Sequence, residues 1–133
     1  MTGKQFDMVV ECRLLRIRGT LQKKNAEYAP GADKLHNFKA GAKLQRCTPE
    51  KALLGYLTKH LVSIFDLVEN LGRGKCASLD VWREKIGDAI NYLILLEALI
   101  DERILGPEDV SIPVPTVRRD RDDLPPQPDR HHA

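Results

Sequence analysis

Apolar residues along this chain recur at helical spacing in three long stretches, and no run alternates at the period of two that marks a half-buried strand. Across residues 5–25, Val10, Leu14, Ile17 and Leu21 form one stripe, with Met8, Cys12 and Leu15 on a neighbouring line. That pattern predicts a core helix. One further turn brings the stripe to Lys24 and then Tyr28, so the apolar line ends in an amine and a phenol. Lys24 there suits either a snorkelling cation at the negative end of a helix or a ligand for phosphate. Thr48-Pro49-Glu50 is a helix start, with an N-cap hydroxyl, proline at the first position and an acid in the first turn. The predicted helix runs to Leu71 and stops at Gly72, with Arg73-Gly74 completing the break. Leu53, Leu57, His60, Leu61, Ile64, Leu67, Val68 and Leu71 share its predicted buried face. His60 reads either as a hydrogen-bonded core histidine or as one turned toward a ligand. Asp66 and Glu69 fall opposite that stripe, as a cation site or as surface.

The third stretch, residues 78–103, organises the chain. Ser78 caps it and Asp80 complements its dipole. Trp82, Ile86, Ala89, Ile90, Leu93, Leu96 and Ile100 line one side, the expected core face. On the far side Glu84, Asp88 and Asn91 stack a turn apart, and the same line continues into Leu95 and Leu99. A polar row that becomes apolar points to a groove or interface that closes further along the helix.

Between these stretches, Ala29-Pro30-Gly31-Ala32 breaks the chain, and residues 33–44 are expected to form one or two helical turns with Leu35 and Phe38 inward. Asn37 adjoins Phe38 in this connection, a common location for function. Six of the eight prolines lie from Pro107 onward, in a stretch with little apolar periodicity. The chain therefore divides into a folded unit, 1–106, and a Pro-rich charged tail, 107–133. The expected architecture is all-α: a small bundle of three long helices and one short helix. Two faces of the last helix are apolar in its C-terminal half, so dimerisation, or a higher homo-oligomer, is expected to complete it.

The net charge of +2 rises to +4 without the tail's four basic and six acidic residues. That mild excess suits an anionic small ligand and not sequence-specific duplex DNA binding. Cys12, Cys47 and Cys76 have no paired spacing and read as reduced thiols. With no apolar leader and no apolar run approaching a membrane span, the expectation is a soluble cytoplasmic protein with no membrane partner.

Lys24-Asn25-Ala26-Glu27-Tyr28, then Asn37-Phe38, then Lys59-His60, then Glu84-Lys-Ile-Gly-Asp88-Ala-Ile-Asn91-Tyr92 resemble the nucleotide-modification-associated domain, first type. This all-α family, found largely in bacteriophages, carries approximately a KNxDY, an NF and a final ExxxDxxNY helix. The family is similar to MazG-type nucleoside triphosphate pyrophosphohydrolases, whose metal site pairs an ExxE on one helix with an ExxD on the next. The resemblance implies that Asp66 with Glu69, and Glu84 with Asp88, hold Mg²⁺. Lys85 stands where a MazG-type enzyme has its second carboxylate.

Hydrolysis between α and β phosphates needs a metal to neutralise charge and position water, and Mg²⁺ takes hard oxygen ligands. Glu84 and Asp88 are the expected catalytic pair, with Asp66 or Glu69 as a further metal ligand. Lys24, Lys59 and Lys85 would hold phosphate. Asn25, Asn37 or Asn91 would bond sugar or base edges, Tyr28, Phe38 or Tyr92 would stack on the base, and His60 would face the ligand. The leading expectation is a Mg²⁺-dependent nucleoside triphosphate pyrophosphohydrolase of phage nucleotide metabolism or modification, working in the host cytoplasm. The alternatives are a non-catalytic nucleotide binder that sequesters a nucleotide or defence signal, and a structural helical dimer.

Overall fold

The computed structural model describes residues 1–27 and 33–106. Four helices follow one another: α1 (Gly3–Glu27), α2 (His36–Gln45), α3 (Pro49–Gly72) and α4 (Leu79–Leu105). No strand occurs among the described residues, so the fold is all-α. Tyr28, the break at 29–32 and the tail 107–133 lie outside the described residues, as does the side chain of Asn25 in the last turn of α1.

The helices begin where local chemistry directs. Thr48 Oγ1 accepts from the Lys51 amide at 3.3 Å, and Ser78 Oγ accepts from the Val81 amide at 3.4 Å. Both caps are extended in backbone and satisfy amides that have no partner inside the helix. At the start of α1, the Gln5 amide donates to Thr2 Oγ1 while the Thr2 amide donates to Gln5 Oε1, a reciprocal capping box. The connection at 33–44 is more ordered than one or two turns, because α2 is a ten-residue helix. It closes on Arg46 in the left-handed conformation, φ 53°.

Packing is centred on α3 and α4. Leu35, Leu53 and Leu99 form the buried core, with Phe38, Tyr92, Leu95, Leu96 and Ala98 packed against it. Two ion pairs tie the layer together. Arg103 grips Glu50 through Nε and Nη2 at 2.7 and 2.8 Å, joining α4 to α3. The Lys39 ammonium contacts Asp33 at 2.8 Å and a Glu102 carboxylate oxygen at 2.7 Å, joining α2 and its approach to α4.

Burial departs from the periodicity in three places. On α1, Ile17 is buried and Leu21 half-buried, but Val10, Leu14 and Leu15 are exposed. The expected core stripe is covered only where α1 meets α4. On α3, Leu53 and Leu57 are buried while Leu61, Val68 and Leu71 are exposed. On α4 the expected core side is open at Ile86, Leu93 and Ile100, whereas Asn91 and Leu99 on the supposed far side are buried. The physical reason is common to all three. A helix with apolar residues on more than one face gives no sign of which face its neighbours take. No helix among the described residues is long and apolar enough to cross a membrane.

Candidate functional site

Two grooves meet on α4. The larger, about 740 Å³, is lined from all four helices. Asp88, Asn91, Tyr92 and Leu95 come from α4, Asn37, Phe38 and Leu44 from α2, Tyr56 from α3, and Leu21, Gln22 and Lys24 from α1. Its aromatic residues form a connected set. Phe38 meets Tyr56 and Tyr92 edge-on at centroid distances of 6.1 and 6.2 Å, and Tyr56 lies stacked relative to Tyr92 at 6.5 Å. Such geometries are favourable for aromatic quadrupoles and make a stiff apolar wall. His60 joins from α3, its ring 4.8 Å from that of Tyr92 and its Nδ1 3.5 Å from Asp88 Oδ2. The histidine is half-buried and lies beside a carboxylate that itself lines the groove.

Asn91 is only 7% exposed, yet its Oδ1 is buried with no hydrogen-bond partner. Buried polar atoms are nearly always paired, and an unpaired one costs about 1–3 kcal/mol. This residue lines both grooves.

The smaller groove, about 400 Å³, runs between α1 and α4 and is lined by Arg13, Arg16, Ile17, Gly19 and Thr20 opposite Arg83, Glu84, Gly87, Asp88 and Asn91. Arg13 Nη1 donates to the Arg83 carbonyl at 3.0 Å. Gly87 makes that position accessible, because a Cβ there would lie 2.7 Å from Arg13 Nη1. Glu84 is turned to Lys85 Nζ at 2.8 Å with its side chain 62% exposed. The Lys85 ammonium holds the Glu84 carboxyl below its usual range, and Glu84 in turn raises Lys85.

Of the side chains singled out from sequence, Lys24, Asn37, Phe38, Asp88, Asn91 and Tyr92 line the larger groove, with His60 in contact with two of them. Glu84 lines the smaller groove. Lys59 and Asp66 are exposed and line neither, and Glu69 is exposed and paired with Arg73 at 3.2 Å. Lys85 is paired with Glu84 and also lies outside both. Among the described residues no group of three or more His, Cys, Asp or Glu side chains is placed to hold a metal ion. The four carboxylates that the MazG-type resemblance assigns to Mg²⁺ thus do not form one donor set within the chain.

Tyr56 and Lys34 on the larger groove and Arg13 and Arg16 on the smaller are among the residues that sequence reasoning missed. Tyr56 lies one turn before His60, and Arg13, Arg16 and Thr20 recur along one face of α1. Both patterns can be read from the chain, but each looks like ordinary helix surface until α4 is placed against it. No family model matches this chain, and comparison with curated proteins and with solved structures finds no match.

Proposed function

We propose that the chain binds a nucleotide, with the base or sugar in the aromatic groove and Asn91 Oδ1 accepting a hydrogen bond from it. The observation that carries this reading is Asn91, which lines a groove walled by Phe38, Tyr56 and Tyr92 and whose buried Oδ1 has no hydrogen-bond partner. A heteroaromatic ring bearing an N–H, or a sugar bearing an O–H, satisfies the oxygen and covers the rings together. Lys24 on the same groove supplies a cation for an anionic ligand. By the motif resemblance, the setting is phage nucleotide metabolism in the host cytoplasm.

Binding without turnover is the form of this reading that the carboxylates favour. Hydrolysis is the second reading, supported by Glu84 and Asp88 reaching one cleft. Those are two hard oxygen donors, with Lys85 engaged on one of them, and among the described residues no further His, Cys, Asp or Glu completes a Mg²⁺ site with them. We also propose that the protein is a homodimer, because Phe6, Met8 and Leu15 on α1 and Val62, Phe65 and Val68 on α3 are apolar and exposed.

One experiment separates the readings. The purified protein is heated and the released small molecules are identified by mass spectrometry, while the common NTPs and dNTPs are titrated and pyrophosphate is assayed with Mg²⁺. A bound nucleotide released intact, with affinity reduced roughly tenfold or more by Asn91→Ala or Tyr92→Ala, is the expected result. Pyrophosphate release abolished by Asp88→Asn would establish the hydrolase instead. No nucleotide at either readout would sink both.

A further inference from the structure

We propose that Arg13 and Arg16 form the oxyanion subsite of the same ligand, so that a nucleotide lies across α4 with its ring among the aromatics and its phosphates between α1 and α4. This rests on the nucleotide reading above and assigns the phosphate to different residues from the lysines that the sequence suggested.

Three guanidinium groups, of Arg13, Arg16 and Arg83, line the smaller groove along with two carboxylates, of Glu84 and Asp88. Glu84 is engaged by Lys85 at 2.8 Å, and Asp88 has His60 Nδ1 at 3.5 Å on the side of the larger groove, so the three guanidinium groups outnumber the carboxylates. Arg83 has Asp80 at 3.6 Å. Arg13 and Arg16 have no ion pair among the described residues. Two arginines on one face without a carboxylate partner leave the cleft locally positive, in a geometry suited to bidentate recognition of phosphate.

Arg13 is half-buried and held by its bond to the Arg83 carbonyl, against the only backbone on that turn without a Cβ. A single Nη1 bond leaves the other guanidinium N–H groups for a ligand, and a fixed side chain loses less entropy on binding. Thr20 adds a hydroxyl donor one turn beyond Arg16.

Asp88 and Asn91 line both grooves, and Asn91 is the residue whose buried oxygen lacks a donor. A ligand donating to Asn91 therefore has the aromatic groove on one side and the arginines on the other. The Asp88 carboxylate at the junction disfavours a phosphate there and favours it further along, on Arg13 and Arg16. Lys59 and Lys85 reach neither groove, which leaves Lys24 as the competing phosphate ligand from the sequence-based set.

Gly87 supplies a test that changes no charge. In Gly87→Ala the new methyl meets the Arg13 guanidinium and nothing else within 4 Å. Alanine is also the better helix former, so α4 is retained while Arg13 is displaced. The probes are inorganic pyrophosphate, the four common dNTPs and the four matching deoxynucleosides, titrated by calorimetry in magnesium-free buffer. Arg16→Gln and Gly87→Ala are each expected to weaken pyrophosphate and dNTP binding roughly tenfold or more, with deoxynucleoside affinity within about twofold of the parent. Melting temperatures within about 5 °C of the parent check that the variants fold, and exposed Arg16 keeps the test open if Gly87→Ala does not.

If dNTP binding depends on Asn91 but is unchanged in both variants, or if Lys24→Gln takes the pyrophosphate loss, the arginine subsite is overturned and the nucleotide reading stands. If pyrophosphate binding falls in both variants while no deoxynucleoside binds and Asn91→Ala has no effect on dNTPs, the arginine subsite is supported and the nucleotide reading fails. No binding of any probe overturns both.

Discussion

A buried amide oxygen without a donor is a cost to the free protein that an apolar side chain of similar size would remove. Asn91 is such a group, and it adjoins Tyr92 and Leu95 in the groove. Asn91→Leu is therefore expected to stabilise the ligand-free protein by about 1–3 kcal/mol while abolishing nucleotide binding. Thermal melts with and without nucleotide check both halves. A variant that is destabilised would mean that Asn91 is a structural residue whose partner is within the fold. The sequence brought out Asn91 because it continues the row of Glu84 and Asp88, and that row does face the two grooves. It did not bring out Tyr56 or Arg13, because their partners, Tyr92 and the carbonyl of Arg83, are far away along the chain. The resemblance to a MazG-type metal site also drew attention to Asp66 and Glu69, which are exposed on α3 and line neither groove.

At the level of elements, the starts and stops were readable because they depend on a few adjacent residues. Thr48, Ser78 and Gly74, the last with φ 77° just past the end of α3, act locally, and no distant contact is needed to place them. Which apolar face packs was not readable, since Ile86, Leu93 and Ile100 form a better apolar stripe than Leu95 and Leu99, yet Leu99 is the buried one. One boundary carries a correctable strain. Arg46 closes α2 in a left-handed conformation, φ 53°, where a Cβ is unfavourable. Arg46→Gly is expected to raise stability by about 0.5–1 kcal/mol, the strain relief being partly offset by chain entropy, as read from denaturant midpoints. The tie between α3 and α4 gives a pH dependence. Hydrogen bonding from Arg103 holds the Glu50 carboxyl below its usual range, outweighing the opposing effect of burial. A folded-state value below the unfolded one means that the pair stabilises at neutral pH and that this contribution is lost as pH falls through the folded value. Glu50 is largely buried and Arg103 half-exposed, so the pair is worth about 1 kcal/mol. Glu50→Gln should lower the melting temperature at pH 7 and lose less on acidification than the parent. Equal acid losses in the two proteins would show that the ion pair does not set the acid limb.

For the whole molecule, the placement of α1 would couple the proposed dimer to the site. This helix supplies Leu21, Gln22 and Lys24 to one groove and Arg13 and Arg16 to the other, yet it is anchored on α4 chiefly around buried Ile17. Its N-terminal half presents Phe6, Met8, Val9 and Leu14 outward, and α3 presents Phe65 at 70% exposure. A monomer leaving these residues in water keeps α1 weakly restrained, whereas a second copy covering them would fix the arginines and the rim of the aromatic groove together. Two-fold pairing of one surface with itself is the commonest way to cover such a face. Sedimentation should therefore show a species of about twice the 15.0 kDa chain mass, and Phe6→Glu should shift it toward the monomer. Because the same helix carries ligand residues two turns and more away, Phe6→Glu should also weaken nucleotide binding, and nucleotide should in turn tighten the dimer by an equal factor, since the two equilibria are linked. Phe65→Glu, on a helix that contributes only Tyr56 to the grooves, distinguishes loss of assembly from damage to α1. If the protein sediments as a 15.0 kDa monomer at every concentration and Phe6→Glu leaves nucleotide affinity unchanged, packing on α4 is sufficient to hold α1 and the coupling does not exist.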